Sequence, residues 1–171
     1  MLFRSRARGW ARAARGVFGR MPLAFPNLYL PAWMIEGLAV YAEGLGSGEG
    51  RRGSGDFRTL ERYTPVPAHD QASNTRVAWP GGETPYLFGL GFYELLANRQ
   101  GASALAALAD QTAGRVPFFG TGGVSAVFGD PLPALWTRYR DAQAPPGRAL
   151  AAGTRQLTSA GYEVASPRFV A

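Results

Sequence analysis

The chain has 171 residues, a length typical of one domain, with 46% hydrophobic residues, 18% charged residues and a formal net charge of +6. It contains no cysteine, which excludes disulfides and cysteine-based zinc sites, and its single histidine, His69, excludes a self-contained two-histidine metal site. The excess positive charge comes from the six arginines of residues 1–20, since the twelve other arginines balance the twelve acids, so no domain-wide basic field for nucleic acid is predicted.

The N-terminal segment predicts an amphipathic helix over residues 2–18. Phe3, Trp10 and Val17 are spaced seven residues apart on one stripe, and arginines occupy the opposite side. This pattern favours a surface helix with its apolar stripe on the core, and a membrane-surface or nucleic-acid-binding helix is the alternative. The sequence contains no apolar run of about 18 residues, so no transmembrane helix is predicted.

After a proline-rich connector, residues 32–43 predict a mostly buried helix that starts behind Pro31 and stops at Gly44. Glu36 lies in the middle of this apolar helix. A carboxylate on a buried helix costs free energy unless it is ionised against a partner, and a Zn²⁺ ion is a strong partner. Spacing alone favours the alternative, a solvent-facing residue on the same helical face as Glu43.

The glycine-rich residues 44–55 lack the Gly-Lys-Ser/Thr of a phosphate-binding loop and predict a mobile loop instead. Asp56 is expected to cap a short helix that ends at Tyr63. Residues 64–83 are rich in proline, asparagine and glycine and predict irregular structure. His69 lies in this segment and is expected to be a surface residue without a ligand role.

The rest of the chain predicts four further helices and a change of structure after residue 143. The helices are expected at residues 85–99 with Thr84 as the cap, from Ser103 to about Thr112, and at residues 121–128 and 131–142. Gly89 within the first of them indicates close approach of another helix. The predicted core residues are Trp33, Leu38, Tyr41, Leu87, Phe88, Phe92, Leu95, Leu96, Leu105, Leu108, Val127, Phe128, Leu135 and Trp136.

The predicted fold class is therefore mainly α, a helical bundle with long loops and a short β-like C-terminal tail. The predicted organisation is a helical domain over residues 1–143, a linker over 144–156 and strand-like pieces over 157–171. Because an isolated hairpin is marginal in water, we expect the tail to be the start of a larger β-structure.

Four segments carry a resemblance to a known family. In chain order they are "PAWMIEGLAVYAEG", "GEGRR", "WPGG…PYLFGLGFYELLANRQG" and "AVFGDPLPALWTRY". Together they resemble the second half of a peptidase-MA-like, gluzincin-type zinc metallopeptidase domain, of the bacterial kind that precedes a TolB-like β-propeller. The resemblance covers residues 16–171, and residues 157–171 are similar to the opening of a propeller repeat.

The resemblance implies peptide-bond hydrolysis with Zn²⁺ as the cofactor. In such a domain a helix bearing HExxH supplies two histidine ligands and the general-base glutamate, and a later helix supplies a glutamate as the third ligand. Glu36 matches that third ligand, and Tyr86 matches the residue that stabilises the oxyanion. From the sequence alone, the favoured alternative for Tyr86 is an aromatic side chain packed in the core near a helix start. Arg51 is expected to contact substrate or to brace its loop. The implied partners are a peptide or protein substrate and a β-propeller domain in the same chain, and the implied location is periplasmic or exported.

The sequence departs from this family pattern because it contains no HExxH. Residues 1–20 resemble the segment that follows the second histidine, so Met1 is expected to be an internal start. Catalytic zinc needs three protein ligands, and Glu36 supplies one. We therefore expect the chain by itself to bind Zn²⁺ more weakly than the micromolar range and to be catalytically inactive. The alternative function is a non-catalytic helical scaffold or interaction domain associated with a TolB-like propeller.

Overall fold

The computed structural model describes residues 7–19, 27, 29–47, 50–73, 81–116, 119–143, 153 and 155. Within these residues the chain forms α1 (Gly9–Phe18), α2 (Ala32–Ser47), α3 (Gly55–Tyr63), α4 (Thr84–Gln100), α5 (Ala102–Ala113), α6 (Gly122–Phe128) and α7 (Leu132–Ala142). Short 3₁₀ turns at Arg51–Gly53 and Gly81–Glu83 precede α3 and α4. No strand occurs in this described part, so the mainly-α prediction is confirmed. The predicted strand-like tail lies outside the described residues.

The centre of the fold is the crossing of α2 and α4. Gly37 and Gly89 meet there, and a Cβ built on Gly89 would lie 2.7 Å from the Cα of Gly37 and would collide with the carbonyl oxygen of Trp33. Two glycines are needed because each removes the side chain that would separate the backbones. The crossing confirms the close helix approach that Gly89 predicts.

Trp33 anchors the core beside this crossing. Its side chain is fully buried, with ring centroids 5.3 Å from Phe92 and 4.7 Å from Trp136. The Trp136 indole N–H donates to the carbonyl oxygen of Pro67 at 2.8 Å, which ties the irregular segment after α3 to α7. Such edge and tilted aromatic contacts add to the free energy gained from area burial. Of the predicted core residues, all but three are buried; the partly buried ones are Leu38, Leu95 and Val127.

Three predictions about residues 44–56 are wrong. α2 does not stop at Gly44 but continues to Ser47, because the Arg52 side chain packs on Gly44 and gives the last turn a partner. The supposed mobile loop is structured wherever it is described, and Ser54 rather than Asp56 caps α3, accepting from the Phe57 N–H at 3.4 Å. Asp56 lies in the first turn, where a carboxylate favours the helix dipole.

The other helix boundaries differ from the predictions by one or two residues, except at the N-terminus, where α1 begins at Gly9 and residues 1–6 lie outside the described part. The prediction that Thr84 caps α4 is wrong, because Thr84 is its first helical residue and Glu83 is the N-cap. Among the described helices, none combines the length and the apolar character needed to cross a bilayer. The prediction that the chain has no transmembrane segment agrees with this finding.

Candidate functional site

Glu36 lies on the outer side of α2 at the edge of its buried face, three residues after the buried Trp33 and directly before the buried Gly37. Most of its neighbours on this side are small or apolar: Ala32, Ile35 and Ala39 are all exposed, and Ile35 retains 40% of its surface, whereas Glu43 lies two turns further along and is also exposed. Glu36 itself is only partly exposed. Exposed apolar side chains on the outer side of a helix favour a further neighbour that covers them. The structure therefore places the Glu36 carboxylate on an uncovered helix face that is mostly apolar.

The Glu36 carboxylate has no ion pair or hydrogen bond to any other residue in the described part of the chain. No group of three or more His, Asp or Glu side chains that could hold a metal ion occurs there either. The residues present thus supply one oxygen ligand and do not by themselves fit a zinc ion, which needs three protein ligands. No catalytic step is assigned to this chain alone.

Tyr86 lies in the first turn of α4, three residues before Gly89, and is partly exposed. Glu36 directly precedes Gly37, so the two predicted site residues flank the same helix crossing. No hydrogen bond between them is present among the described contacts. The crossing fixes the backbone positions of both residues. No direct contact fixes the distance between the Glu36 carboxylate and the Tyr86 hydroxyl.

Arg51 is held against Tyr86. Its guanidinium carbon lies 4.5 Å from the centroid of the Tyr86 ring, and its Nε lies 3.8 Å from an oxygen of Glu83. An arginine over an aromatic face is attracted by the ring quadrupole. Of the two expected roles for Arg51, these contacts support bracing of its turn, and they also restrict the rotamers of Tyr86.

The structure also contains an Arg–Glu cluster that the sequence did not predict, formed by Arg52, Arg58, Glu61 and Glu94. Arg58 makes a two-pronged contact with Glu94, with N–O distances of 2.8 Å and 2.7 Å, and reaches Glu61 at 2.9 Å. Arg52 donates to Glu94 at 2.8 Å and lies 5.4 Å from the Tyr41 ring. The cluster therefore joins α2, the Arg51–Gly53 turn, α3 and α4.

The two carboxylates of this cluster have opposite pKa shifts. Burial raises the pKa of Glu61 above its ordinary value of 4.5, and the contact with Arg58 offsets only part of that rise. Burial acts in the same direction on Glu94, but the hydrogen bonds from Arg58 and Arg52 outweigh it and lower its pKa. The contacts with arginine therefore dominate the pKa of Glu94, whereas desolvation dominates the pKa of Glu61.

A sequence signal existed for one contact of the cluster only. Arg58 and Glu61 are three residues apart on a predicted helix, a spacing that favours an ion pair. Glu94 lies 36 residues from Arg58 and is reached through the packing of α3 on α4, which no local pattern encodes. His69 contacts Trp136 edge to face at 6.5 Å and belongs to neither the cluster nor the surroundings of Glu36.

No family model matches the sequence. Comparisons with curated proteins and with solved structures likewise returned no match. The gluzincin resemblance therefore stays a prediction that depends on the four quoted segments, and the geometry around Glu36 and Tyr86 is the independent observation against which it is weighed.

Proposed function

We propose that this chain is the second half of a gluzincin-type zinc metallopeptidase domain, in which Glu36 is the third protein ligand of Zn²⁺. The observation that carries the proposal is the partly buried Glu36 carboxylate, without a partner in the described residues, on a mostly apolar and uncovered face of α2. Small residues on that face, Ala32 and Ala39, leave room for a second helix to approach closely. A helix bearing two histidines is the neighbour that would both cover the face and neutralise the carboxylate.

The roles of this chain's own residues follow from their positions. The Gly37–Gly89 crossing fixes the backbone of Glu36, so the carboxylate would be presented to the metal with little reorganisation. Tyr86 would donate its phenol O–H to the oxyanion that develops on the scissile carbonyl, and Arg51 would hold its ring. The bound zinc would polarise that carbonyl and lower the pKa of a bound water. Both histidines and the general base would come from outside these 171 residues.

The first test is the coding DNA upstream of the Met1 codon. We expect an in-frame HExxH there, and a stop codon with no such motif between it and Met1 would contradict the proposal. The protein encoded by the longer frame should bind one zinc ion and hydrolyse peptides. In it, Glu36→Gln should weaken zinc affinity by at least roughly 10- to 100-fold, because that range is typical of losing only a residue that orients a metal ligand.

Glu43→Gln is the matched control, because Glu43 lies on the same face of the same helix two turns away and is exposed. It should leave zinc affinity and turnover unchanged. Tyr86→Phe should lower kcat roughly 10²- to 10³-fold with little change in KM, as removal of one oxyanion donor does. Equal effects of the two glutamate substitutions on zinc binding would assign the metal to another ligand.

The second candidate function, a non-catalytic helical scaffold beside a β-propeller, is favoured by one observation. The outer side of α2 exposes Ala32, Ile35 and Ala39, which a protein neighbour would cover without a metal ion. Under this alternative the apolar face of α2 would pack on protein without metal, and Glu36→Gln would tighten rather than weaken that packing, because it removes a charge that must be desolvated.

A further inference from the structure

Helix α1 is docked on the body of the protein along its first half only. The Trp10 indole N–H donates to the carbonyl oxygen of Arg115 at 3.0 Å, and Ala11 is 2% exposed. Val17 and Phe18 lie seven residues further along, on the same sides of the helix as Trp10 and Ala11, yet they are 75% and 72% exposed. The apolar stripe that the sequence predicts therefore extends beyond its docking surface, and the expectation that the whole stripe packs on the core is wrong for the last turn.

A second pair of exposed apolar side chains belongs to the segment on which α1 is docked. Val116 follows the Arg115 carbonyl that accepts the Trp10 bond, and it is 55% exposed. Phe119 closes a turn by donating its N–H to the Val116 oxygen at 3.1 Å, and it is 71% exposed. Four of the seven large apolar side chains that are most exposed in the described residues thus come from two segments joined by one hydrogen bond.

Cationic side chains accompany these apolar ones. Arg8, Arg12 and Arg15 lie on one side of α1, and residues 1–20 contain no acid. Arg8 is paired with Asp110 at 2.9 Å, whereas Arg12 and Arg15 have no acidic partner within the part of the chain that the structure describes. The long arginine side chains can extend alongside a buried apolar stripe while their guanidinium groups stay at a polar boundary.

We infer that this basic edge, defined as Arg12, Arg15, Val17, Phe18, Val116 and Phe119, docks on the surface of an anionic phospholipid bilayer. Exposed aromatic and aliphatic side chains beside unpaired arginines are what an interfacial segment requires, since the former enter the acyl boundary and the latter contact lipid phosphates. A nucleic acid would use the arginines but leave the four apolar side chains in water. An apolar protein partner would bury the apolar groups and gain nothing from the local excess of positive charge.

The test is co-sedimentation of the full chain with vesicles. One set contains equal parts of phosphatidylcholine and phosphatidylglycerol, and the other contains phosphatidylcholine only. We expect binding to the anionic vesicles that weakens with added salt, and little binding to the neutral ones. The pair Val17→Ser with Phe18→Ser, and separately the pair Arg12→Gln with Arg15→Gln, should each lower the partition coefficient roughly tenfold or more.

Matched control variants remove the same number of positive charges, or of large apolar side chains, at positions outside the basic edge. Arg62→Gln with Arg99→Gln, and Leu45→Ser with Tyr63→Ser, change exposed residues far along the chain from the edge and should leave vesicle binding unchanged. Since Val17 and Phe18 make little contact with the body, their variant should keep the parental helical circular dichroism, which separates lost docking from lost folding.

Three outcomes would overturn the inference. One is equal binding by the edge variants and the controls. Another is tight binding to a duplex DNA probe that the serine pair retains and the glutamine pair loses. The last is a concentration-dependent dimer that the serine pair converts to monomer, with no vesicle binding by the parent chain.

Discussion

Gly37 of α2 and Gly89 of α4 lie back to back at the centre of the molecule, so close that a Cβ on either one would collide with backbone atoms of the other helix. This contact fixes the relative position of the two helices that carry Glu36 and Tyr86. This one pair of glycines therefore determines how α2 and α4 pack in the core and where the candidate site residues lie.

The first prediction concerns this contact. Gly89→Ala should lower the free energy of unfolding by about 1–3 kcal/mol, because the added methyl group meets the rigid backbone at Trp33 and Gly37 and the helices must separate. Gly46→Ala is the control within α2, where a Cβ would meet nothing within 4 Å. It should raise the free energy of unfolding by about 0.5–1 kcal/mol through helix propensity. Chemical denaturation measures both, and a neutral Gly89→Ala would contradict the close crossing.

Much of the fold could be predicted from the sequence because local signals specify it. Apolar periodicity located the helices, and Pro85 and the Gly129–Pro131 break marked boundaries that the structure keeps. The error at Gly44 has a tertiary cause. Glycine is typical of helix ends, but α2 continues past Gly44 because the Arg52 side chain packs on it. The capping by Ser54 was missed because Ser54 and Asp56 are both good capping residues by composition.

The candidate site was predictable only in part, for a different reason. A lone Glu36 at helical spacing cannot be distinguished from a solvated glutamate, and only the structure shows that its face is mostly apolar and uncovered. The partners of Glu94 come from residues far away in the chain, so no spacing rule could find them. Pairings that depend on how α3 packs on α4 are tertiary information, whereas caps and periodicity are local.

The second prediction contrasts two buried tyrosines. Tyr93 donates its O–H to the Met34 carbonyl at 3.0 Å, so Tyr93→Phe should cost about 1 kcal/mol of unfolding free energy. No group in the described residues meets hydrogen-bond geometry at the Tyr139 hydroxyl. Burial raises the pKa of Tyr139 well above its ordinary value, the carboxylates of Glu61 and Glu94 raise it further, and Gln143 lowers it. Tyr139→Phe should therefore be neutral or stabilising, and equal losses in the two variants would show that the Tyr139 hydroxyl is satisfied.

The third prediction is that Glu94 makes the free energy of unfolding fall at acidic pH. Its pKa is lower in the folded than in the unfolded protein, so its contribution is present above pH 4.5 and is lost as the pH falls through the lowered value. Glu94→Gln should cost about 1.5–3 kcal/mol at neutral pH, because it weakens charge-assisted bonds from two arginines. The variant should also lose less stability than the parent chain on acidification, which urea melts at a series of pH values would measure.

The fourth prediction has the opposite sign and concerns Glu61. Its pKa is raised on folding, so the carboxyl favours the folded state fully only below its ordinary value of 4.5, and that benefit is lost as the pH rises through the raised value. Glu61→Gln should therefore leave the neutral-pH stability equal to or greater than that of the parent chain, since the amide oxygen can still accept from Arg58. A strong loss at neutral pH would mean that the ionised Glu61–Arg58 pair is net stabilising.

The last prediction addresses Glu36 in the chain as it stands. Because its carboxylate has no described partner, Glu36→Gln should change the free energy of unfolding by less than about 0.5 kcal/mol, in contrast to Glu94→Gln. Excess Zn²⁺ should not raise the melting temperature of the parent chain, since a ligand stabilises only in proportion to its binding of the folded state. No zinc-dependent peptidase activity is expected either. A melting temperature that rises with Zn²⁺ in the parent chain and not in the Glu36→Gln variant would show that these 171 residues already hold the metal, and that the missing ligands must be sought among them.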